Sequence, residues 1–173
     1  IAPKKISEDE HGHLFLLVNN RALLFLDSAV NAFVPAHAYL HINENWMVTG
    51  FAQQPGTKKY WMGINGIGLA IYNSATGNLS YVGHNTENEP LIETYKKVLS
   101  PSDFLFDSKG RFWFSNTDAQ YFSMYCHNLK ENKPVFANYE FMSVFQSFYD
   151  IEGIFEQRDG TVWIWGMKVF GRY

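Results

Sequence analysis

Short apolar runs separated by polar turns recur along the whole chain. Runs of apolar residues that contain aromatics cover 14–18, 60–64, 112–115 and 162–165. A turn that contains glycine precedes each of them, for example Asp159 and Gly160 before the last run. Because glycine accepts a positive φ at little steric cost, the pattern predicts strands that leave tight turns.

The turns and strands repeat at a nearly constant spacing. An aromatic residue follows the turn glycine by three positions in three copies, and a fourth copy keeps its tryptophan although its glycine has moved to Gly56. The four anchor residues, separated by 46, 52 and 50 positions, are Phe15, Trp61, Trp113 and Trp163. Ten to twelve residues after each anchor comes a second aromatic, namely Phe25, Tyr72, Tyr125 and Tyr173.

A period near 50 residues built of short strands is typical of the blades of a β-propeller. The predicted fold is therefore all-β, a propeller fragment of about four blades, each a four-stranded antiparallel sheet. The repeats fall at approximately 1–37, 46–82, 102–139 and 150–173, with longer connections between them. The last repeat lacks its outer strand, so the fourth blade is predicted to be incomplete.

Two ring sizes are compatible with this count. The N-terminal residues could supply the missing strand of a small four-bladed ring, or the chain could be about half of a larger ring. The larger ring is favoured, because propeller arrays are often longer than the piece expressed. The chain starts at Ile1 and stops at Tyr173 inside a repeat, and we expect it to be part of a longer protein.

Composition narrows the possible partners. The 173 residues carry a net charge of −3 and only 18% charged residues, which implies no nucleic-acid surface. The aromatic content of 17% fits sheets packed face to face. The single Cys126 excludes an internal disulfide and a cysteine-rich metal site. The most apolar region, 14–26, is interrupted by polar residues and too short to span a bilayer, so no membrane contact is expected for this fragment.

One stretch resembles a known family. Residues 61–81 are similar to the two-component regulator propeller repeat, with Trp61-Met62-Gly63 at the front and Gly68-Leu69 in the second half. Thr76-Gly77 and Tyr81 then follow, as that repeat has a Thr-Gly pair and a final aromatic. Residues 104–113 and 154–164 are similar to its front half only. Ile64 replaces the usual threonine, and the third and fourth copies lack the Gly-Leu pair.

The resemblance implies an extracytoplasmic sensing region. In that family, such propellers belong to membrane-bound histidine kinases, especially hybrid two-component systems of Bacteroidetes, many of which sense oligosaccharides. It implies a periplasmic, non-catalytic region that binds a small molecule or oligosaccharide, in a parent receptor that forms a homodimer in the inner membrane. A propeller enzyme of the polysaccharide lyase or glycosidase type and a protein-binding scaffold remain as alternatives.

Residues that could carry chemistry are sparse. His11 and His13 lie in a repeat turn, and a solvated turn is preferred there to a metal pair. His37 and His41 lack a third ligand nearby. We predict no metal, no cofactor and no catalytic residue.

Acidic residues could act in glycoside chemistry, which needs two carboxylates across a scissile bond. The acidic run 8–10 and the pair Glu87 and Glu89 are the available groups, and a solvated charged surface is the preferred interpretation. Asp107 and Asp159 are interpreted as turn formers.

Ligand contacts are predicted on one face of the blades. The regular recurrence of Trp61, Trp113 and Trp163 favours packing between blades over sugar stacking. Loops between second and third strands share a face with the connections between blades, and ligands usually contact that face. The residues predicted there are Asn20, Arg21, Tyr39, Trp46, Asn65, Asp118, Gln120, Tyr149 and Lys168.

Overall fold

A computed structural model gives the structure of this chain, and it describes residues 2–19, 22–116, 124–135, 151–166 and 169–173. The chain divides into two compact units, Ile1–Leu99 and Ser100–Tyr173. Each unit contains two antiparallel sheets of the propeller-blade type, in which consecutive strands are neighbours. No helix within the described ranges has the length and the apolar content to cross a bilayer.

The first unit holds two four-stranded blades. The strands of the first blade are β1 (Pro3–Glu8), β2 (Leu14–Val18), β3 (Leu23–Asp27) and β4 (Ala32–Pro35). A single-turn helix, α1 (His37–Leu40), begins the connection to the next blade. The strands of the second blade are β5 (Val48–Gln53), β6 (Lys59–Ile64), β7 (Gly68–Asn73) and β8 (Asn78–Tyr81), and α2 (Pro90–Thr94) follows them.

The second unit holds the third and fourth blades. The strands of the third blade are β9 (Pro101–Phe106), β10 (Arg111–Asn116), β11 (Met124–Asn128) and β12 (Lys133–Pro134). The strands of the fourth blade are β13 (Ile151–Glu156), β14 (Val162–Gly166) and β15 (Val169–Arg172). Within the described residues the fourth sheet has three strands, so the predicted all-β blade architecture and its incomplete last blade are confirmed.

A β-bulge recurs in the innermost strand of all four sheets. In β1, for example, Pro3 pairs with Val18 and Lys5 with Leu17, which leaves one extra residue in β1. The same shift occurs in β5, β9 and β13. A bulge bends its strand and increases the local twist, so each blade has the same bend in its innermost strand.

The turn between the first and second strands also repeats in its hydrogen bonds. In blades one, three and four it begins at Asp9, Asp107 and Gln157. Each of these residues donates its N–H to the carbonyl oxygen four residues on, at 2.8 to 3.0 Å, and accepts from the turn glycine at 2.9 to 3.1 Å. Those glycines have φ between +76° and +82°, the left-handed region that the prediction required.

The side chain of this first turn residue holds the anchor tryptophan. An indole N–H donates to a turn side chain in three pairs: Trp61 to Gln54 (3.2 Å), Trp113 to Asp107 (2.7 Å) and Trp163 to Gln157 (2.9 Å). The first blade has Phe15 instead, and its turn carboxylate, Asp9, accepts from His13 and Tyr60. In blades two, three and four the side chain at the start of the turn is therefore hydrogen-bonded to the anchor tryptophan.

Anchors lie between successive blades within each unit. Phe15 is buried and its ring lies 4.6 Å from that of Phe51 in the second blade. In the second unit, Trp113 is buried in a cluster that includes Val162 and Ile164 of the fourth blade. The interpretation of the recurring tryptophans as packing side chains is confirmed for Trp61 and Trp113, which are 1–2% exposed, whereas Trp163 is half-buried.

Candidate functional site

A cleft of about 500 Å³ opens in the first unit beside the connection between its two blades. It lies at the end of the first blade where β2 turns into β3 and where the chain leaves β4. The lining residues are Ala22, Leu23, Leu24, Pro35, His37, Ile42, Asn43, Glu44, Asn45, Trp46, Met47 and Val48. Most of them belong to the connection, one of the segments predicted to contact ligand.

The connection is fixed to the core by alternating buried side chains. Ala36, Leu40, Ile42 and Val48 are each 8% exposed or less and belong to the apolar core of the first unit. His41 ends α1 with a left-handed φ of +53°, which turns the chain so that Ile42 can enter the core. The polar residues 43–45 therefore lie between Ile42 and Val48, whose side chains are buried in the core.

A tight turn presents the polar side chains of the cleft. The Asn43 side-chain oxygen accepts the backbone N–H of Asn45 at 2.9 Å, and its carbonyl oxygen accepts the N–H of Trp46 at 3.0 Å. Asparagine favours this position because its side chain can close the turn. Glu44 and Asn45 consequently stand at the tip of the turn, where both are exposed.

Trp46 differs from the anchor tryptophans. Its ring packs edge-on against Tyr81 at 5.1 Å, and it remains half-buried. The indole N–H groups of Trp61, Trp113 and Trp163 have acceptors, whereas that of Trp46 has none among the described residues. Trp46 therefore adds to the cleft lining a half-buried ring whose N–H has no acceptor among the described residues.

The lining combines polar groups with apolar surface. Glu44 is the one acidic side chain among the described lining residues, and no Lys or Arg belongs to that set. Glycoside hydrolysis of the usual kind needs a second carboxylate. Two amides, an imidazole, a carboxylate and an indole N–H instead provide hydrogen-bond donors and acceptors beside apolar surface, the composition expected of a small-molecule site.

The structure places three of the nine predicted ligand residues. Trp46 lines the cleft, and the backbone N–H of Asn65 donates to the carbonyl oxygen of Met47 at 2.9 Å, next to it. Tyr39 is apart from the cleft lining. Its ring stacks on Phe25 with centroids 4.4 Å apart, and its hydroxyl lies 3.3 Å from His13 Nδ1.

The other six predicted residues lie outside the described residues: Asn20, Arg21, Asp118, Gln120, Tyr149 and Lys168. Ala22, which lines the cleft, comes directly after Arg21. Ligand contact by any of the nine stays a prediction.

Sequence reasoning missed four polar residues of the lining. His37 was considered only as a metal ligand, and Asn43, Glu44 and Asn45 were treated as part of a polar connection. The signal was present, since an Asn-Glu-Asn run directly before a tryptophan indicates a turn that positions an aromatic. Ile42 lines the cleft and is buried, and the sequence pattern did not show that burial.

Histidines elsewhere in the first unit are engaged in structural contacts. His13 Nδ1 lies 2.8 Å from the buried Asp9 carboxylate, and His11 Nε2 lies 2.6 Å from Lys58 Nζ. His41 packs against Tyr72 with ring centroids 5.2 Å apart. No cluster of three or more His, Cys, Asp or Glu side chains suited to a metal ion occurs in the described part of the chain.

The acidic residues weighed as catalytic groups also hold the fold together. Burial of Asp9 opposes its ionisation, but hydrogen bonds from Tyr60 and His13 outweigh this and lower its pKa. The Thr76 hydroxyl, followed by the Asn73 amide, lowers the pKa of Glu87. Glu89 is 7% exposed and forms an ion pair with Lys59 at 2.5 Å. The solvated surface predicted for these acids is thus wrong for Asp9 and Glu89, because each is buried with hydrogen-bonding partners.

The single thiol of the chain lies in β11 of the third blade. Cys126 is buried, and burial raises the pKa of its thiol to about 12. A thiol needs a lowered pKa to attack as thiolate near neutral pH. Cys126 is therefore a packing residue of the third blade.

Comparison with solved structures identifies the same architecture in much longer chains. The extracellular domain of BT4673 from B. thetaiotaomicron, assigned to a hybrid two-component system, superposes with a TM-score of 0.67 at 12% identity, over 98% of this chain and 22% of that one. The extracellular domain of BT3049 from the same organism, also assigned to a hybrid two-component system, superposes with a TM-score of 0.58 at 15% identity, over 94% of this chain and 22% of that one. The chain thus spans about a fifth of the length of these structures.

The fold also occurs in an enzyme. The PQQ domain of pyranose dehydrogenase from Coprinopsis cinerea superposes with a TM-score of 0.53 at 17% identity, over 94% of this chain and 42% of that one. No protein-family model matches the sequence, and no curated protein matches it either. At these identities the comparisons establish the fold, and the chain is built of β-propeller blades like those of the two extracellular domains.

Proposed function

We propose that this chain is part of the extracytoplasmic, ligand-sensing propeller region of a two-component sensor histidine kinase. Two observations of different kind support the proposal. Residues 61–81 resemble the propeller repeat of such sensors, and the blades superpose on extracellular domains assigned to hybrid two-component systems. Periplasmic location and a homodimeric parent receptor follow from the same resemblance.

The cleft beside Trp46 is the ligand site in this proposal, and binding there is non-catalytic. The single observation that carries it is a half-buried indole whose N–H has no acceptor among the described residues, in a cleft that Asn43, Glu44 and Asn45 also line. Amide and carboxylate groups exchange hydrogen bonds with hydroxyls, and an indole face packs on the C–H face of a sugar ring. A carbohydrate therefore fits the site.

Charge narrows the ligand class. Glu44 is the charged group of the described lining at neutral pH, and no guanidinium or ammonium belongs to that lining. Repulsion between the Glu44 carboxylate and the carboxylate of a uronate would cost binding free energy. We accordingly expect neutral oligosaccharides to bind better than oligouronates of equal length.

Signal transmission then needs a ligand that prefers one state of the receptor. Binding shifts the equilibrium between two arrangements only by the difference in affinity for them. A cleft formed by an inter-blade connection suits this role, because a change between blades would alter its lining.

Isothermal titration calorimetry with neutral and uronate oligosaccharides tests the proposal. Trp46→Ala should weaken neutral oligosaccharide binding at least about tenfold, since aromatic anchors dominate such sites. Asn78 is an exposed asparagine at the start of β8, so Asn78→Ala is the matched control for Asn45→Ala and should leave affinity unchanged. Equal affinity of Trp46→Ala and the parent chain would refute the assignment of the cleft.

A further inference from the structure

The lining of the cleft comes from both blades of the first unit. Leu23 begins β3 and Pro35 ends β4 in the first blade, whereas Val48 begins β5 in the second. Trp46 and Met47 also line the cleft and come directly before β5. The position of Trp46 therefore depends on how the start of β5 is held in the second blade.

A β-bulge sets which side chains at the start of β5 enter the core. The register of β5 shifts between Val48 and Gly50. Val48 and Phe51 are three residues apart, yet both are 2% exposed and belong to the same core cluster. In a regular strand, residues three apart point to opposite faces. The bulge lets Val48 enter the core, and its neighbour Met47 is 44% exposed and lines the cleft.

A backbone hydrogen bond then ties Met47 to the second blade. The N–H of Asn65 donates to the carbonyl oxygen of Met47 at 2.9 Å. This bond continues the pairing of β5 with β6 one step beyond Val48 and Ile64. Asn65 is not one of the lining residues, and it meets one of them through its main chain.

The turn that carries Asn65 is held by further backbone hydrogen bonds. The N–H of Ile67 donates to the carbonyl oxygen of Ile64 at 3.1 Å, which closes the turn between β6 and β7. Gly66 has a φ of +77° and Asn65 a negative φ, as in a type II turn. The N–H of Gly66 donates to the carbonyl oxygen of Leu99 at 2.8 Å. Asn65 is thus fixed independently of its bond to Met47.

The ring of Trp46 has its own support in the second blade. It packs edge-on against Tyr81, the last residue of β8, with ring centroids 5.1 Å apart. The backbone of Tyr81 exchanges two hydrogen bonds with that of His84, at 2.9 and 3.1 Å. The second blade therefore contacts Trp46 at its ring and holds the carbonyl group of the residue that follows it.

We propose that Asn65 and Tyr81 are positioning residues for the ligand site, which hold Trp46 in place before a ligand arrives. Asn65 acts through its main-chain N–H and Tyr81 through its ring. A group that is already ordered binds more tightly, because less conformational entropy is lost on binding. The inference rests on the proposed ligand site at Trp46 and adds the residues that determine its geometry.

Two substitutions of Asn65 separate the main chain from the side chain. Asn65→Pro removes the N–H and suits the turn, since proline is favoured at the second position of a type II turn and Ile64 is in a strand. Asn65→Ala removes the side chain and keeps the N–H. In calorimetric titrations with neutral oligosaccharides, Asn65→Pro should weaken binding at least about tenfold more than Asn65→Ala. Equal affinities of the two variants would overturn the role assigned to the N–H.

Tyr81 is tested by a second pair of variants. Tyr81→Ala removes the ring beside Trp46 and should weaken binding several-fold, whereas Tyr81→Phe keeps a ring there and should restore most of the affinity. Equal affinities of these two variants would overturn the role assigned to the Tyr81 ring.

NMR spectra without ligand distinguish this inference from the proposed function. In Asn65→Pro the indole N–H signal of Trp46 should shift further than in Asn65→Ala, while unmoved signals of the buried Trp61 and Trp113 report an intact core. If Trp46→Ala binds oligosaccharide as the parent chain does, the proposed function fails, and these spectra still decide the positioning role. A Trp46 signal that Asn65→Pro leaves in place would overturn the inference, as would weaker binding by Trp46→Ala without weaker binding by Asn65→Pro.

Discussion

Replacing Asp107 tests whether the first turn residue holds each blade together. Asp107 Oδ1 accepts the backbone N–H groups of Lys109 and Arg111 at 3.0 and 2.8 Å. Its Oδ2 accepts from Arg111 Nε at 2.6 Å and from Trp113 Nε1 at 2.7 Å. The Asp107 side chain is fully buried, and that of Arg111 is 10% exposed.

Asp107→Ala should lower the free energy of unfolding by about 3–5 kcal/mol. Removing one partner of a buried ion pair costs that much, because the other charge is left buried. Here the penalty applies in full, since Arg111 Nη2 is already buried without a hydrogen-bond acceptor in the described structure. The loss is a large part of the about 5–15 kcal/mol that stabilises a typical domain.

Gln157→Ala is the matched comparison in the fourth blade. Gln157 holds Trp163 through one neutral and exposed hydrogen bond of 2.9 Å. Such a bond contributes about 0.5–1.5 kcal/mol. Gln157→Ala should therefore lower the free energy of unfolding several-fold less than Asp107→Ala does.

Urea unfolding followed by far-ultraviolet circular dichroism measures both values. If Asp107→Ala does not fold, Asp107→Asn, which keeps the volume and removes the charge, supplies the comparison. If the free energy of unfolding of the Asp107 and Gln157 variants falls by the same amount, within about 0.5 kcal/mol, the role assigned to the buried carboxylate is refuted.

Three further outcomes follow from individual contacts. Burial lowers the pKa of His127 in the folded protein, so folding favours the neutral imidazole. The stability from this residue is complete above about pH 6.5, the ordinary pKa of histidine, and is lost as the pH falls through the lower pKa of the folded state. His127→Gln should therefore make the thermal midpoint less sensitive to pH between about 7.5 and 5.5. In urea unfolding, Gly68→Ala should lower the free energy of unfolding by at least about 1 kcal/mol more than Gly56→Ala. Both glycines have a positive φ, but only at Gly68 would an added Cβ meet a backbone carbonyl oxygen, 2.8 Å away. Gly153→Ala should lower the free energy of unfolding by about 1–3 kcal/mol, because the added Cβ would meet the Trp165 ring. The decrease should be clearly smaller when Trp165 is also replaced by Ala, and equal decreases with and without the Trp165 ring would contradict its position.

Strand positions were predictable because the local signals agree. At β6 and β14 the turn glycine, the β-branched residues and the aromatic anchor all indicate the same hairpin, and the observed strands begin and end within one residue of the predicted runs. The periodic anchors also predicted inter-blade packing. All copies of a repeat adopt the same strands, so the clear second copy allows the strands of the weaker copies to be recognised.

The roles of turn side chains could not be predicted from the same pattern. Asp107 was identified as a turn former, but its bond to Trp113 depends on the register of β9 against β10, which pairs Phe106 with Phe112 and Leu105 with Trp113. Gln54 and Gln157 were not singled out at all, because glutamine is not a characteristic turn residue. Only the three-dimensional pairing shows that they occupy the position of Asp107.

The candidate site was partly predictable for a related reason. Trp46 was selected because it lies on a connection outside the repeat pattern, and it does line the cleft. Tyr39 was selected by the same argument, yet its ring stacks on Phe25. The difference arises from the single turn of α1 and the left-handed His41, which direct successive side chains to different sides of the connection.

The most direct test of a ligand site at Trp46 uses the tryptophan side chains as reporters. The chain has five tryptophans, and each indole N–H gives its own signal in a ¹⁵N-correlated NMR spectrum, assignable by single Trp→Phe variants. On titration with neutral oligosaccharides, the Trp46 signal should shift while those of the buried Trp61 and Trp113 stay in place. A bound oligosaccharide that leaves the Trp46 signal unmoved, or that shifts the Trp165 signal instead, would contradict the account.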